Sequence, residues 1–136
     1  MSSGRVGELG FPAELVLPEK PSDYFARNVW IGASFPSPSE AAAMKKIGVD
    51  RMMWGSDYPH NESTFPYNRL HLRRSFSDWD EADLRKVFAE NASKVYRIDM
   101  DALAPLADRI GPSVDEVAAE LDEVPRDAFS PAFTRP

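Results

Sequence analysis

The sequence has no cysteine and only two histidines among its 136 residues. Without cysteine, the chain can form neither a disulfide nor a zinc site with thiolate ligands. No apolar run approaches the ~20 residues that a membrane-spanning helix needs. Residues 1–12 also lack the charged and apolar regions of a secretory signal. We therefore expect a soluble, cytoplasmic protein with no membrane partner.

The features of nucleic-acid-binding and phosphate-binding proteins are also missing. The net charge is −6 and no basic block occurs, so nucleic acid is not an expected partner. Arg69, Arg73 and Arg74 form a small basic cluster with two interpretations: a solvated helix face, which we favour, or an anion site. There is no Gly-rich phosphate loop, and Ser56 in "GSD" lacks the second glycine of a nucleophile elbow.

An apolar segment, a helix signal and a second apolar segment follow one another in the first half of the chain. The segment "NVWIGASF" is rich in β-branched and aromatic residues and predicts a buried strand at about 28–33. Ser37 and Glu40 can form a capping box for a helix over 37–47. "RMMWGS" predicts another strand over 51–56. This order predicts a βαβ unit with two parallel strands.

Two more helices are predicted after this unit, over 66–76 and 81–97. The second has the clearer signal, because Asp80 can cap it and its apolar residues fall on one stripe. That stripe contains one polar residue, Asn91, with two interpretations: a boundary residue facing water, or a buried amide that holds a neighbouring loop. Residues 100–136 alternate helix signals with prolines, which predicts an acidic helical extension and an irregular tail.

Asp57 follows the second predicted strand directly, in the stretch "RMMWGSDYPH". In α/β folds, ligands bind at the carboxyl ends of strands. A carboxylate there can bind a divalent metal and accept a proton from metal-bound water. From its position alone, we favour a simpler role, capping of the turn "SDYP" through backbone amides.

Three other residues have side chains that could bind a metal. His60 lies three residues after Asp57 and has three possible roles: metal ligand, substrate contact or solvent-exposed side chain. Glu62 adds a second carboxylate to the same loop. His71 lies within a predicted helix, where a surface or core contact is favoured over ligation.

Three segments resemble the C-terminal part of the amidohydrolase-related proteins (amidohydrolase family 2), which are metal-dependent hydrolases and decarboxylases. The segments are "KPSDYFARNVWIG", "DRMMWGSDYPHNESTFP" and "LRKVFAENASKVYRID". They occur in the family's order and together span residues 20–99. The resemblance implies an α/β fold, a partial (β/α)8 TIM barrel in which the two predicted strands are the seventh and eighth. We therefore expect residues 1–99 to form the last two β/α units and residues 100–136 to form the helical extension.

The resemblance also implies roles for three residues. Asp57 would be the family's aspartate at the end of the eighth strand, a catalytic residue that binds a divalent metal, commonly zinc. His60 would lie at the mouth of the pocket and bind substrate. Asn91 would be the family's structural helix asparagine. Ser63 stands where related sequences often have glycine, so the loop after His60 is expected to differ.

The other ligands of the family's metal site are a His-x-His pair on the first strand and histidines on the fifth and sixth. Nothing in this sequence corresponds to those strands, and a complete barrel needs about 250 residues. We therefore expect a C-terminal segment of a hydrolase or decarboxylase, inactive alone and without tight metal binding. Its partners would be a small-molecule substrate and either an N-terminal barrel chain or further copies of itself. The alternative is a non-catalytic remnant or interaction module that self-associates or docks on a larger homologue.

Overall fold

A computed structural model describes residues 17–134 of the chain. In order, its elements are α1 (Pro21–Asn28), β1 (Ile31–Ser34), α2 (Pro38–Ile47), a 3₁₀ turn (Val49–Arg51), β2 (Met52–Gly55), α3 (Asn68–Phe76), α4 (Glu81–Arg85), a π-helical turn (Lys86–Glu90), α5 (Asn91–Tyr96), α6 (Met100–Ile110), α7 (Val114–Ala118) and a second 3₁₀ turn (Pro131–Thr134). The start of the expected 1–99 unit, up to residue 16, lies outside the described residues.

Strands β1 and β2 form a two-stranded parallel sheet, which confirms the predicted pairing. The register places Ile31 opposite Met52. Helix α2 connects the strands and begins with the predicted capping box. The Ser37 hydroxyl accepts a hydrogen bond from the Glu40 N–H, and the Glu40 carboxylate accepts one from the Ser37 N–H. These bonds satisfy backbone donors that the first turn of a helix leaves without partners, so the start of α2 is well defined.

Two elements begin at least two residues later than the sequence predicts, each because a neighbouring turn uses the first residues. β1 begins at Ile31 rather than 28, because the N–H of Val29 still bonds to the carbonyl of Phe25 at the end of α1. α3 begins at Asn68 rather than 66, because a hydrogen-bonded turn ends at Tyr67.

The hydrophobic core lies between one face of the sheet and α2, α3, α4, the π-helical turn and α7. Its buried members are Ala41, Met44, Val49, Met52, Leu72, Phe76, Trp79, Leu84, Val87 and Val117. The ring of Phe76 meets those of Trp79 and Phe88 edge to face, each with a centroid distance of 5.0 Å. Aromatic contacts of this kind add to the stabilisation from apolar burial. The core therefore fixes α3 against the long helical run that follows it.

Strand β1 is less covered than the predicted buried strand. Ile31 and Ala33 are half-buried, whereas Gly32 and Ser34 are exposed. Within residues 17–134 the sheet has only two strands, so the outer edge of each strand has no strand beside it. Exposed strand edges are sites where another strand can pair.

Three arginines of α3 attach the C-terminal extension. Arg69 forms an ion pair with Glu116 of α7. The backbone carbonyls that accept from the arginines are those of Ile110 and Gly111 for Arg69, Ala119 and Glu120 for Arg73, and Phe133 for Arg74. The favoured interpretation of a solvated helix face is therefore wrong. The sequence could not reveal these contacts, because the accepting carbonyls lie 41 to 59 positions away in the chain.

Helix α6 is amphipathic, yet none of its residues is buried. Its apolar stripe consists of Met100, Leu103, Leu106 and Ile110, which are 41–60% exposed. The helix has 11 residues. Within the described part of the chain, no helix is both long and apolar enough to cross a bilayer.

Asn91 joins the helical run to the start of β2. Its side chain is completely buried, and its amide nitrogen donates to the carbonyls of Val49 and Met52, at 2.8 Å each. Only the NH₂ end of the amide can satisfy two acceptors, so this contact determines its orientation. The N–H of Asn91 closes the π turn by bonding to the carbonyl of Lys86. Of the two interpretations from the sequence, the buried amide is the one found.

We expect Asn91→Ala to lower the free energy of unfolding by about 2–4 kcal/mol, because it removes two buried hydrogen bonds, to the carbonyls of Val49 and Met52, and leaves a cavity in their place. Urea denaturation followed by circular dichroism measures this change. Ser93→Ala is the matched control, since it removes an exposed hydrogen bond to the carbonyl of Ile98, and its effect should be below about 1 kcal/mol. Equal losses in the two variants would contradict the role of Asn91.

Candidate metal site

The site loop, residues 56–67, leaves the carboxyl end of β2. Asp57 adopts a left-handed backbone conformation with φ of 64°, which aspartate tolerates better than most residues. The carbonyl of Asp57 accepts from the N–H of His60 at 2.9 Å, and the N–H of Tyr58 donates to the hydroxyl of Ser56. The chain therefore turns sharply at Asp57, immediately after the strand.

The carboxylate of Asp57 contacts the imidazole of His60. Its Oδ2 lies 2.9 Å from Nδ1 of that ring. Within residues 17–134, the carboxylate accepts no hydrogen bond from a backbone amide, so the turn-capping role favoured from position alone is not the arrangement found. The Asp57 side chain is 23% exposed and that of His60 is 67% exposed. The pair therefore lies at the surface of the described chain, with the imidazole facing outward.

Glu62 completes a group of three potential ligands. One ligand atom from each of Asp57, His60 and Glu62 lies within 4.8 Å of the other two. The structure thus brings together the two residues singled out from the sequence and the additional carboxylate of the same loop. His71, the other histidine, lies outside the group. It is buried in α3, with its ring 6.3 Å from that of Trp54 and 6.4 Å from that of Phe133.

Contact with Asp57 raises the pKa of His60. The hydrogen bond from the imidazole to this carboxylate raises the pKa of His60 above its usual 6.5, and the Coulomb attraction of Asp57 adds to the rise. Glu62 contributes a smaller attraction in the same direction. Each effect favours the imidazolium form, because a nearby negative charge stabilises a positive one.

The donor set suits a divalent cation by its chemistry. Carboxylate oxygens and imidazole nitrogens both bind divalent metals, and three protein ligands is the number that an open catalytic metal site has. Metal–ligand bonds of ~2.0–2.2 Å place ligand atoms ~3–3.5 Å apart, and the ligand atoms of the group already lie within 4.8 Å of one another. The residues therefore fit such an ion, although all three come from one exposed loop.

Two residues that help to hold this loop were missed in the sequence. The N–H of Thr64 donates to the carbonyl of Ser56 at 3.0 Å, and its hydroxyl donates to the side chain of Asn68 at 2.6 Å. The hydroxyl of Ser130 donates to the carbonyl of Ser63 at 2.8 Å. The role of Thr64 could have been inferred from the sequence, because this residue lies only eight positions after Ser56 in the same loop. No local pattern could indicate the second, because 67 residues separate the partners.

The fold and the site define an α/β protein with a candidate ligand group at the carboxyl end of a parallel strand. The family model described as Amidohydrolase matches residues 15–98, which is more than half of the chain. The chain therefore belongs to the amidohydrolase family. No solved structure matches it significantly. The match includes both strands, the site loop and Asn91, and it ends before α6.

We expect the pKa of His60 to lie above 6.5 in the folded chain and to fall toward that value in Asp57→Asn. The protonated pair stabilises the folded loop below the unfolded pKa, and that contribution is lost as pH rises through the folded pKa. An NMR titration of the imidazole protons measures both values. Glu62→Gln is the control and should lower the pKa less than Asp57→Asn does. A pKa that Asp57→Asn leaves unchanged would rule out the pairing.

Proposed function

We propose that this chain is the C-terminal segment of a metal-dependent hydrolase or decarboxylase, and that Asp57 is one ligand of its divalent metal. The observation that carries the proposal is the position of Asp57, the second residue after β2, which is a parallel strand within the family match. Catalytic side chains of (β/α)8 barrels come from the carboxyl ends of the strands. Amidohydrolase membership makes a small-molecule substrate the partner of such a site.

In this proposal, β1 and β2 are the seventh and eighth strands of a TIM barrel. Parallel pairing through a connecting helix is the repeating unit of that fold. The outer strand edges and the half-exposed β1 are also as expected for strands that lie between further β/α units. Residues 1–99 then belong to the barrel, and residues 100–136 form an acidic extension on its outside.

Asp57 has two tasks in the proposed site. Its carboxylate would hold the metal through one oxygen and would accept a proton from the attacking water. A divalent metal, zinc in the simplest case, would supply Lewis acidity when bound. His60 is placed to hydrogen-bond substrate at the mouth of the pocket, since its ring is largely exposed. Asn91 has a structural role, holding the start of β2 and so the strand that presents Asp57.

The isolated chain is proposed to be incomplete as an enzyme. Its three potential ligands all lie on one exposed loop, whereas a tight zinc site encloses the ion with ligands held by packed neighbours. The missing ligands would come from an N-terminal barrel chain or from further copies of this one. The chain alone would then bind metal weakly and have no hydrolase activity.

Zinc titration by calorimetry tests this proposal. We expect the chain alone to bind zinc no more tightly than about micromolar, and to gain a tight site when an N-terminal barrel segment of the family is added. Asp57→Asn should then lower activity by more than ~100-fold, because loss of a residue that only orients a ligand already costs 10–100-fold.

The control is Asp101→Asn, which changes an exposed carboxylate on α6 and should leave zinc binding and activity unchanged. Two results would contradict the proposal: tight zinc binding with hydrolysis by the chain alone, or full activity of Asp57→Asn in the reconstituted enzyme.

The second candidate is a non-catalytic interaction module, favoured by the exposed apolar stripe of α6. Such a module would bury this stripe and the strand edges by self-association or against a larger homologue. Light scattering after size exclusion should then give a mass above the 15.2 kDa of one chain, unchanged in Asp57→Asn. Leu103→Asp should restore the monomer, whereas Asp101→Asn should not. A wild-type monomer would rule out self-association as its function.

A further inference from the structure

The C-terminal end of the chain folds back onto the site loop. Residues 125–134, which we call the strap, follow α7 and end with the 3₁₀ turn Pro131–Thr134. The family match ends at residue 98, so it does not include the strap. Three residues of the strap, Ala128, Ser130 and Ala132, are buried. The strap is therefore packed against the rest of the chain, and its contacts with the loop can be followed one by one.

The central contact joins Ser130 to Ser63. The Ser130 hydroxyl donates to the Ser63 carbonyl at 2.8 Å and accepts from the N–H of Ala132 at 3.2 Å. Both serines are buried, with exposures of 7% and 5%. The hydroxyl thus uses its donor and an acceptor position together, which fixes its orientation. Loss of the hydroxyl would leave the Ser63 carbonyl buried without a donor, which is unfavourable.

The Ser63 peptide group lies at the closure of the site loop. The N–H of Ser63 donates to the carbonyl of His60 at 3.1 Å. The next residue, Thr64, donates its N–H to the carbonyl of Ser56 at 3.0 Å, directly before Asp57. Both of these backbone hydrogen bonds are therefore donated by the two residues, Ser63 and Thr64, whose shared peptide group contains the carbonyl that Ser130 holds. A shift of this carbonyl would move the backbone that carries Asp57 and His60.

Two further contacts hold the strap on either side of Ser130. The hydroxyl of Tyr67, at the end of the site loop, donates to the carbonyl of Asp127 at 2.9 Å. Arg74 of α3 donates to the carbonyl of Phe133 at 2.9 Å. The Phe133 ring also lies 6.4 Å from that of Tyr67. The strap is thus attached at three points, and two of them, at Ser63 and Tyr67, lie on the site loop.

We propose that the strap holds the site loop in its folded position and that Ser130 is the positioning residue through which it acts. The tip of the loop is exposed, including Tyr58, His60 and Glu62. Exposed backbone hydrogen bonds open readily, because water competes for their donors and acceptors. The buried Ser130–Ser63 bond supplies the order that the tip lacks. The catalytic meaning of this order rests on the proposed function of Asp57 and His60.

Amide hydrogen exchange of the full chain, measured by NMR, tests the strap without any metal. In Ser130→Ala, the amides of Ser63 and Thr64 should exchange about tenfold faster, equivalent to ~1.4 kcal/mol in the opening free energy. The amide signals of Asp57 and His60 should also shift. Exchange at the buried core residue Val87 should stay at the wild-type rate.

The matched control is Thr134→Ala. It removes a strap hydroxyl that donates only within the strap, to the carbonyl of Pro131 at 2.7 Å. Exchange at Ser63 and Thr64 should then equal that of the wild type. If Ser130→Ala loosens the core as well, Tyr67→Phe replaces it, since this variant removes the exposed bond to Asp127 and keeps the ring. It should speed exchange at Ser63 and Thr64 about threefold. The proposal is overturned if Ser130→Ala and Tyr67→Phe both leave the exchange rates of the Ser63 and Thr64 amides equal to those in Thr134→Ala.

A second measurement separates the strap from the proposed function. With an N-terminal barrel segment added, Ser130→Ala should weaken zinc binding about tenfold, and Thr134→Ala should not. Faster loop exchange in Ser130→Ala, together with no tight zinc site even after the barrel segment is added to the wild-type chain, would support the strap and contradict the proposed function. The opposite result is a zinc site that depends on Asp57, with loop exchange and zinc affinity unchanged by Ser130→Ala. It would support the proposed function and contradict the strap.

Discussion

Parallel pairing of β1 with β2 is the constraint on which the rest of the structure depends. Two parallel strands cannot be joined by a tight turn, so α2 must carry the chain back along the sheet. The same pairing places the carboxyl ends of both strands at the same end of the sheet. The chain that leaves β2 therefore emerges there, and Asp57 is the second residue after the strand.

The helical run from α4 to α5 packs against β2 and stabilises this arrangement. Asn91 donates to the carbonyl of Val49, in the turn before β2, and to that of Met52, the first residue of β2. Leu84 and Val87 of the same helical run belong to the hydrophobic core. The π turn before Asn91 is a local departure from regular helix, of a kind often found at functional sites. Here it lies beside the residue that fixes the strand. The position of Asp57 thus depends on a polar contact at the opposite end of β2.

The acidic extension contributes more than its composition suggests. Arg69, Arg73 and Arg74 use their guanidinium groups to hold carbonyls of the extension. The strap then reaches the site loop through Ser130. A segment beyond the family match therefore contacts the loop that carries the candidate ligands. The loop after β2 lies within the family match, whereas Ser130, which contacts this loop, lies outside it.

The sequence by itself determined the local features: the parallel βαβ unit, the capping box at Ser37, and the placement of Asp57 and His60 in the loop after the second strand. These follow from periodicity, capping chemistry and short motifs, all of which act between residues near one another in the chain. Only the tertiary structure decided that Asn91 is buried, that three arginines bind the extension, and that Ser130 meets Ser63. Those contacts join residues 39 to 67 positions apart. Their geometry depends on how whole elements pack, which no local pattern encodes.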